Sequence, residues 1–269
     1  MALIQVNYLS KALFRTVPVH VILPADKLDY GTGNYRMKEG ERFQTLYLLH
    51  GLLGNYTDWV SGTRIQRWAE EKNLAVIMPS GDNSFYFKQR TPWNDYETFI
   101  GKELVEMTRR MFPLSDKRED TFIAGLSMGG YGALRNGIVF SDTFSHVAGL
   151  SAAVQLFSDR PGADDHGLFE DKAAAAATDL NPVVALEELL SKGRKLPKFY
   201  LACGLQDSLL QDNINFREFL LSKGADVTWD EEDAGHEWDF WDSQIRKVLD
   251  WLPLGAKEGG LSSGNVKVE

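Results

Sequence analysis

Short apolar runs alternate with stretches of helical spacing along most of the chain, and this pattern constrains the fold more than any other feature. The runs "VPVHVILP", "TLYLLH", "LAVIMPS", "TFIAGLS", "HVAGLS" and "KFYLACG" are rich in Val, Ile, Leu and aromatics, as buried strands are. Between and after them lie "TRIQRWAEEKN", "YETFIGKELVEMTRRMF", "MGGYGALRNGIVF", "PVVALEELLSKG", "LLQDNINFREFLLSKG" and "EWDFWDSQIRKVLDWL", all with the spacing of amphipathic or buried helices. Strands that alternate with helices predict a largely parallel sheet covered on both faces, an α/β fold. Residues 3–24 alternate apolar positions with no helix between them, which predicts an antiparallel hairpin at the N-terminal edge of that sheet.

At 269 residues with 43% hydrophobic content the chain is long enough for one large core, so a single domain over 1–254 is expected. Residues 152–181 break the alternation with Pro, Gly and an Asp pair before an alanine run. They are expected to form an inserted loop or small cap with one short helix. Residues 255–269 are Gly/Ser-rich and polar, and a disordered tail is expected there. A net charge of −9 disfavours nucleic acid and anionic membrane surfaces as partners, since both would repel an acidic protein. No apolar run approaches the ~20 residues that a membrane-crossing helix needs. The N-terminus lacks the pattern of a secretory signal, so a cytoplasmic location is expected. The single cysteine, Cys203, leaves no intramolecular disulfide; at the end of an apolar strand it reads as a small buried hydrophobe.

In such sheets the reacting groups sit beyond the C-terminal ends of the strands. Ser127 stands at such an end. Gly125-Leu126-Ser127-Met128-Gly129 matches G-x-S-x-G, with a strand before it and a helix after it. Glycine on either side removes the Cβ atoms that would collide in so sharp a turn, and the hydroxyl can then stand exposed. A serine needs a base and a group that orients the base, and in this architecture the chain order is Ser, then Asp or Glu, then His.

His236, in "DEEDAGHEWDFW", follows the last strand "DVTWDEE" and precedes the final helix, where the base belongs. His20 and His146 lie within strand-like runs and read as packed residues, while His166 falls in the insertion. His50 reads either as an alternative base or as a brace for its loop. Asp207, in "KFYLACGLQDSLL", is the candidate acid; the alternative is that it caps the following helix. Asp212 and Asp233 are weaker rivals. Two backbone amides should face the oxyanion, one from Met128 after the nucleophile and one from Leu52 in the turn after the third strand. Phe85, Tyr86, Trp93 and Trp238 are the aromatic candidates for the pocket wall.

Taken together, "LYLLHGLLGNYTDW", "FIAGLSMGGYGALR", "CGLQD" and "AGHEW" resemble the esterase D group of α/β-hydrolases, in particular the tributyrin esterase branch. The likeness runs from about residue 5 to residue 252. It implies the α/β-hydrolase fold and a serine carboxylesterase for small-molecule esters with short acyl chains. Ser127, Asp207 and His236 would be its triad, Leu52 and Met128 its oxyanion donors, with no cofactor and a possible homo-oligomer. Relatives in this group include S-formylglutathione hydrolases and acetyl xylan and feruloyl esterases. The first of these generally carry a cysteine just after the oxyanion turn, where this chain has Gly54 and Asn55.

Overall fold

The computed structural model describes residues 1–29, 31–158 and 167–255. Eight strands form one sheet: β1 Ala2–Ser10, β2 Arg15–Leu23, β3 Thr45–Leu49, β4 Ala75–Pro79, β5 Thr121–Leu126, β6 His146–Leu150, β7 Lys198–Gly204 and β8 Val227–Glu232. Their spatial order is β1-β2-β4-β3-β5-β6-β7-β8. β2 runs antiparallel to both β1 and β4, and every other pair is parallel. The mostly parallel sheet with an antiparallel N-terminal edge is therefore as the sequence predicts.

Every residue of β3, β4 and β5 is buried, because helices cover both faces. Within these continuous apolar runs the side chains still alternate between two cores. Tyr47, Leu49, Ile77 and Ile123 enter one core, and Leu46, Leu48, Val76 and Phe122 enter the other. β1, at the edge, instead alternates between exposed and half-buried positions along most of its length.

The helices are α1 Asp58–Gly62, α2 Ile65–Glu71, α3 Tyr96–Thr98, α4 Leu104–Met111, α5 Met128–Val139, α6 Lys172–Ala176, α7 Pro182–Ser191, α8 Leu210–Ser222 and α9 Trp238–Trp251. α3 continues into α4 through a π-helical turn, Phe99–Glu103, whose last residue clasps the β1–β2 turn. The Glu103 carboxylate accepts from the Lys11 and Ala12 amides at 2.7 and 2.8 Å. α2 and α9 pack on the Leu46 face through Ile65, Trp68, Phe240 and Ile245. α5, α7 and α8 pack on the other through Leu134, Leu186 and Phe216.

Of the predicted insertion, residues 159–166, His166 included, lie outside the described residues. On either side of them the chain forms a 3-10 turn, Val154–Phe157, and the short helix α6, capped by Asp171. Of the predicted tail, residues 256–269 also lie outside the described residues. No described helix is long and apolar enough to cross a membrane.

Three histidines inside the fold give stability a pH dependence. Burial lowers the pKa of His20, His50 and His146 below 6.5, and His146, near Lys198 and Arg118, falls to about 4. Below pH 6.5 the unfolded chain therefore binds protons that the folded chain refuses, so stability must fall as pH drops from there towards about 4. Urea midpoints measured near neutrality and at about pH 5 should decrease accordingly, and His146→Gln should flatten the decline.

Candidate active site

The C-terminal ends of β3, β5, β7 and β8 bring together the segments singled out in the sequence. Ser127 leaves β5 with φ 53° and ψ −117°, a strained conformation for a residue with a side chain. Its backbone is held from three sides. Its amide donates to Leu150 O at 2.8 Å, and its carbonyl accepts from Tyr131 and Ala153, each at 3.0 Å. The flanking glycines are required by contact. A Cβ on Gly125 would lie 2.2 Å from Gly129 O, and one on Gly129 would lie 2.4 Å from Leu49 O.

His236 Nε2 lies 3.0 Å from Ser127 Oγ, and its Nδ1 lies 2.7 Å from Asp207 Oδ2. A carboxylate only accepts, so Nδ1 carries the proton and Nε2 is left to accept from the serine hydroxyl. The Asp207 side chain is fully buried, whereas that of His236 is 36% exposed. Burial alone would raise the Asp207 pKa, but the His236 ring and the Leu209 amide outweigh it and hold the carboxyl below 3.8. Asp207 does not cap α8, whose N-cap is Leu209 and which has no side-chain cap bond: Oδ1 accepts from Leu209 N at 2.9 Å in the turn before the helix, while Oδ2 faces the imidazole.

Backbone bonds tie the loop of Asp207 to the loop of His236, Leu205 N to Glu232 O at 2.8 Å and Gln206 N to Ala234 O at 3.0 Å. The His236 ring stands edge-on to Trp241, with centroids 4.9 Å apart. The rivals lie elsewhere. Asp233 is exposed and bonded to Gln206, and Asp212 is on α8.

His50 is a brace. Its Nε2 accepts from Gly81 N at 2.8 Å, so Nδ1 must be the protonated nitrogen, and it donates to Gly51 O at 2.7 Å. Burial lowers its pKa and keeps the ring neutral in this role. Three more bonds fix the same turn: Trp59 Nε1 to Leu49 O, Tyr86 Oη to His50 O, and Leu53 N to Asn83 Oδ1, at 2.9, 2.9 and 2.8 Å. Among the described residues the amides of Leu52 and Met128 donate to no other group, and both residues line the cavity above Ser127. Beside this turn, the position that a Cβ on Gly54 would take lies 1.9 Å from Asp58 Oδ2.

That cavity measures about 240 Å³ and is walled by Leu52, Phe85, Met128, Ala153, Gln155, Ser208 and Leu209 around Ser127 and His236. A wider depression of about 670 Å³ near residues 37–42 and 109–113 contains neither serine nor histidine among its lining residues, so Ser127 and His236 lie outside it.

Of the aromatic candidates, only Phe85 reaches the wall. Tyr86 is wholly buried because φ values of 52° and 59° at Phe85 and Tyr86 turn it under the loop. There its ring occupies the space left by Gly81 and Gly132. Trp93 is 65% exposed and stacks on Phe14, with centroids 5.3 Å apart. Trp238 packs between Trp59 and Trp241, over Gly62. Gln155 carried no signal in the sequence, being a single polar residue in an irregular stretch.

The chain matches the family described as Putative esterase over residues 10–252. It is 38% identical to an acetyl esterase of Caldicellulosiruptor saccharolyticus, over 94% of this chain and 98% of that protein. Among solved structures it is similar to a substrate-bound fluorophosphonate-binding serine hydrolase of Staphylococcus aureus, with TM-score 0.81 and 30% identity, covering 93% of this chain and 98% of that one. It is also similar to an S-formylglutathione hydrolase of the same organism, with TM-score 0.80, 30% identity and the same coverage.

Proposed function

The chain belongs to the Putative esterase family and is a carboxylic ester hydrolase of the α/β-hydrolase fold, and from that premise we propose that it cleaves short-chain acyl esters with Ser127, His236 and Asp207 as its triad. The observation that carries this reading is the unbroken chain from Asp207 through His236 to Ser127, at 2.7 and 3.0 Å, ending in the cavity.

In the proposed cycle His236 Nε2 takes the Ser127 proton as Oγ bonds to the ester carbonyl carbon. The carbonyl oxygen becomes an oxyanion, for which the free amides of Leu52 and Met128 are the donors. The intermediate collapses by breaking the bond to the alkoxy oxygen, which leaves as alcohol with the proton from His236. Water, deprotonated by the same ring, then releases the acid and restores Ser127. Asp207 holds the tautomer and offsets the positive charge that His236 carries between the two transfers.

The cavity volume supports small substrates, since about 240 Å³ lies below the ~300–1,000 Å³ of sites that hold drug-sized ligands. Similarity to an S-formylglutathione hydrolase makes a thioester the second substrate class to compare. The test is a panel of p-nitrophenyl acetate, butyrate and octanoate with S-formylglutathione, each assayed before and after treatment with a fluorophosphonate. The expected result is the highest kcat/KM on acetate or butyrate, abolished as one phosphonyl group attaches to Ser127. Attachment elsewhere, or full activity after labelling of Ser127, overturns the triad. A preference for the thioester or octanoate overturns the substrate class alone.

A further inference from the structure

Gln155 joins two properties that no other described residue shares. It lines the cavity above Ser127, and its Oε1 is buried without a hydrogen-bond partner. Among the described residues the other buried side-chain atoms without a hydrogen bond belong to Tyr8, His20, Arg36, Glu70 and Ser141, none of which borders this cavity. Buried side-chain carbonyls nearly always have a donor, because one withdrawn from water without compensation destabilises the fold.

The segment that carries Gln155 is tied to the nucleophile. Ala153 N donates to Ser127 O at 3.0 Å, and Asn213 grips Ala152 from both sides, accepting from its amide at 3.2 Å and donating to its carbonyl at 2.9 Å. Gln155 follows two residues after Ala153, a reach of at most ~7 Å of chain, in the 3-10 turn anchored by the fully buried Leu156. Of the remaining wall, Leu52, Phe85, Met128, Ala153 and Leu209 present apolar side chains and Ser208 already has an interaction of its own, which leaves the Gln155 carbonyl as the wall's unpaired acceptor for a donor on the bound ester.

We infer that Gln155 is a substrate-binding residue whose side-chain carbonyl accepts a hydrogen bond from the ester, making the preferred substrates esters with a hydroxyl close to the reacting carbonyl. This rests on the ester-hydrolase reading of Ser127 and adds to it the chemical class of the substrate. A site built around such an acceptor discriminates against an isostere that lacks the donor, because binding the isostere leaves the carbonyl unpaired.

Two isosteric pairs test the inference and locate the hydroxyl: 2-hydroxyethyl acetate against propyl acetate, and methyl glycolate against methyl propanoate. Each kcat/KM ratio is divided by the ratio for alkaline hydrolysis, which removes the intrinsic reactivity of the esters. The expected result is a preference of roughly tenfold or more for the hydroxyl ester in one pair. It should fall to near one in Gln155→Met and persist in Gln155→Glu, which keeps an acceptor. Corrected ratios near one for both pairs in the unaltered enzyme overturn the inference whether or not the variants fold. A preference undiminished in a Gln155→Met protein that melts like the parent overturns it too. Hydrolysis of propyl acetate that depends on Ser127, with no hydroxyl preference, defeats this inference alone. No Ser127-dependent hydrolysis of any of the four esters defeats the ester-hydrolase reading and this inference with it.

Discussion

Replacing Ser127 by Ala is expected to lower kcat on p-nitrophenyl acetate by roughly 10³- to 10⁶-fold while leaving KM within a few-fold of its parent value. The imidazole stays in place, bonded to Asp207 at 2.7 Å and packed against Trp241, so the variant keeps its base and loses only the atom that attacks. Water can still be activated in the cavity, but it lacks the fixed position that the serine backbone gives Oγ through its bonds to Leu150, Tyr131 and Ala153. The Ala variant should melt within a few degrees of the parent, because alanine carries the same Cβ at φ 53° and the cavity wall is unchanged. A folded variant with more than a tenth of parental kcat would remove Ser127 from the mechanism.

The second large effect is expected at Gly129, where alanine should destabilise the protein by more than about 4 kcal/mol. Its Cβ would lie 2.4 Å from Leu49 O and 2.5 Å from His50 O. Both are backbone atoms, so no rotamer change relieves the clash. Each also accepts a bond that positions the neighbouring turn, Leu49 O from Trp59 Nε1 and His50 O from Tyr86 Oη. Any retreat of β3 would therefore carry Leu52 and its amide away from Ser127. Urea denaturation and turnover should fail together. At Gly31, by comparison, an added Cβ meets Asp29 Oδ1 at 3.4 Å, ordinary contact. Retention of both stability and turnover in Gly129→Ala would mean that α5 and the end of β3 are not held as described.

The sheet and the positions of Ser127, Asp207 and His236 were legible in the sequence because each depends on local chemistry. Apolar runs mark the strands, and the residues just past each strand end are those that can meet at one edge of the sheet, although 109 positions separate Ser127 from His236. α1 escaped notice because five residues, Asp58–Gly62, are too few to show a helical period. The aromatic wall was read only at Phe85. Nothing in "NSFYFK" announces that two consecutive aromatic residues take positive φ, since glycine, the usual marker of that conformation, is absent there. Tyr86 was consequently expected on the wrong side of its loop, while Trp93, itself at φ 61°, was expected on the wall and instead stacks on Phe14. Gln155 depends on one unpaired atom in three dimensions, a property with no sequence counterpart.

The close approach of Asp58 to Gly54 limits how this enzyme can be altered. Because the carboxylate stands 1.9 Å from where a Cβ at 54 would sit, any side chain introduced there, a thiol included, has first to turn Asp58 aside. Asp58 also lies close enough to His50 to favour its cation, so the displaced charge would bear on the ring that braces the turn. His50 Nδ1 lies 3.1 Å from the same point, so a side chain at position 54 is coupled to both positions 58 and 50 beside the turn that carries Leu52.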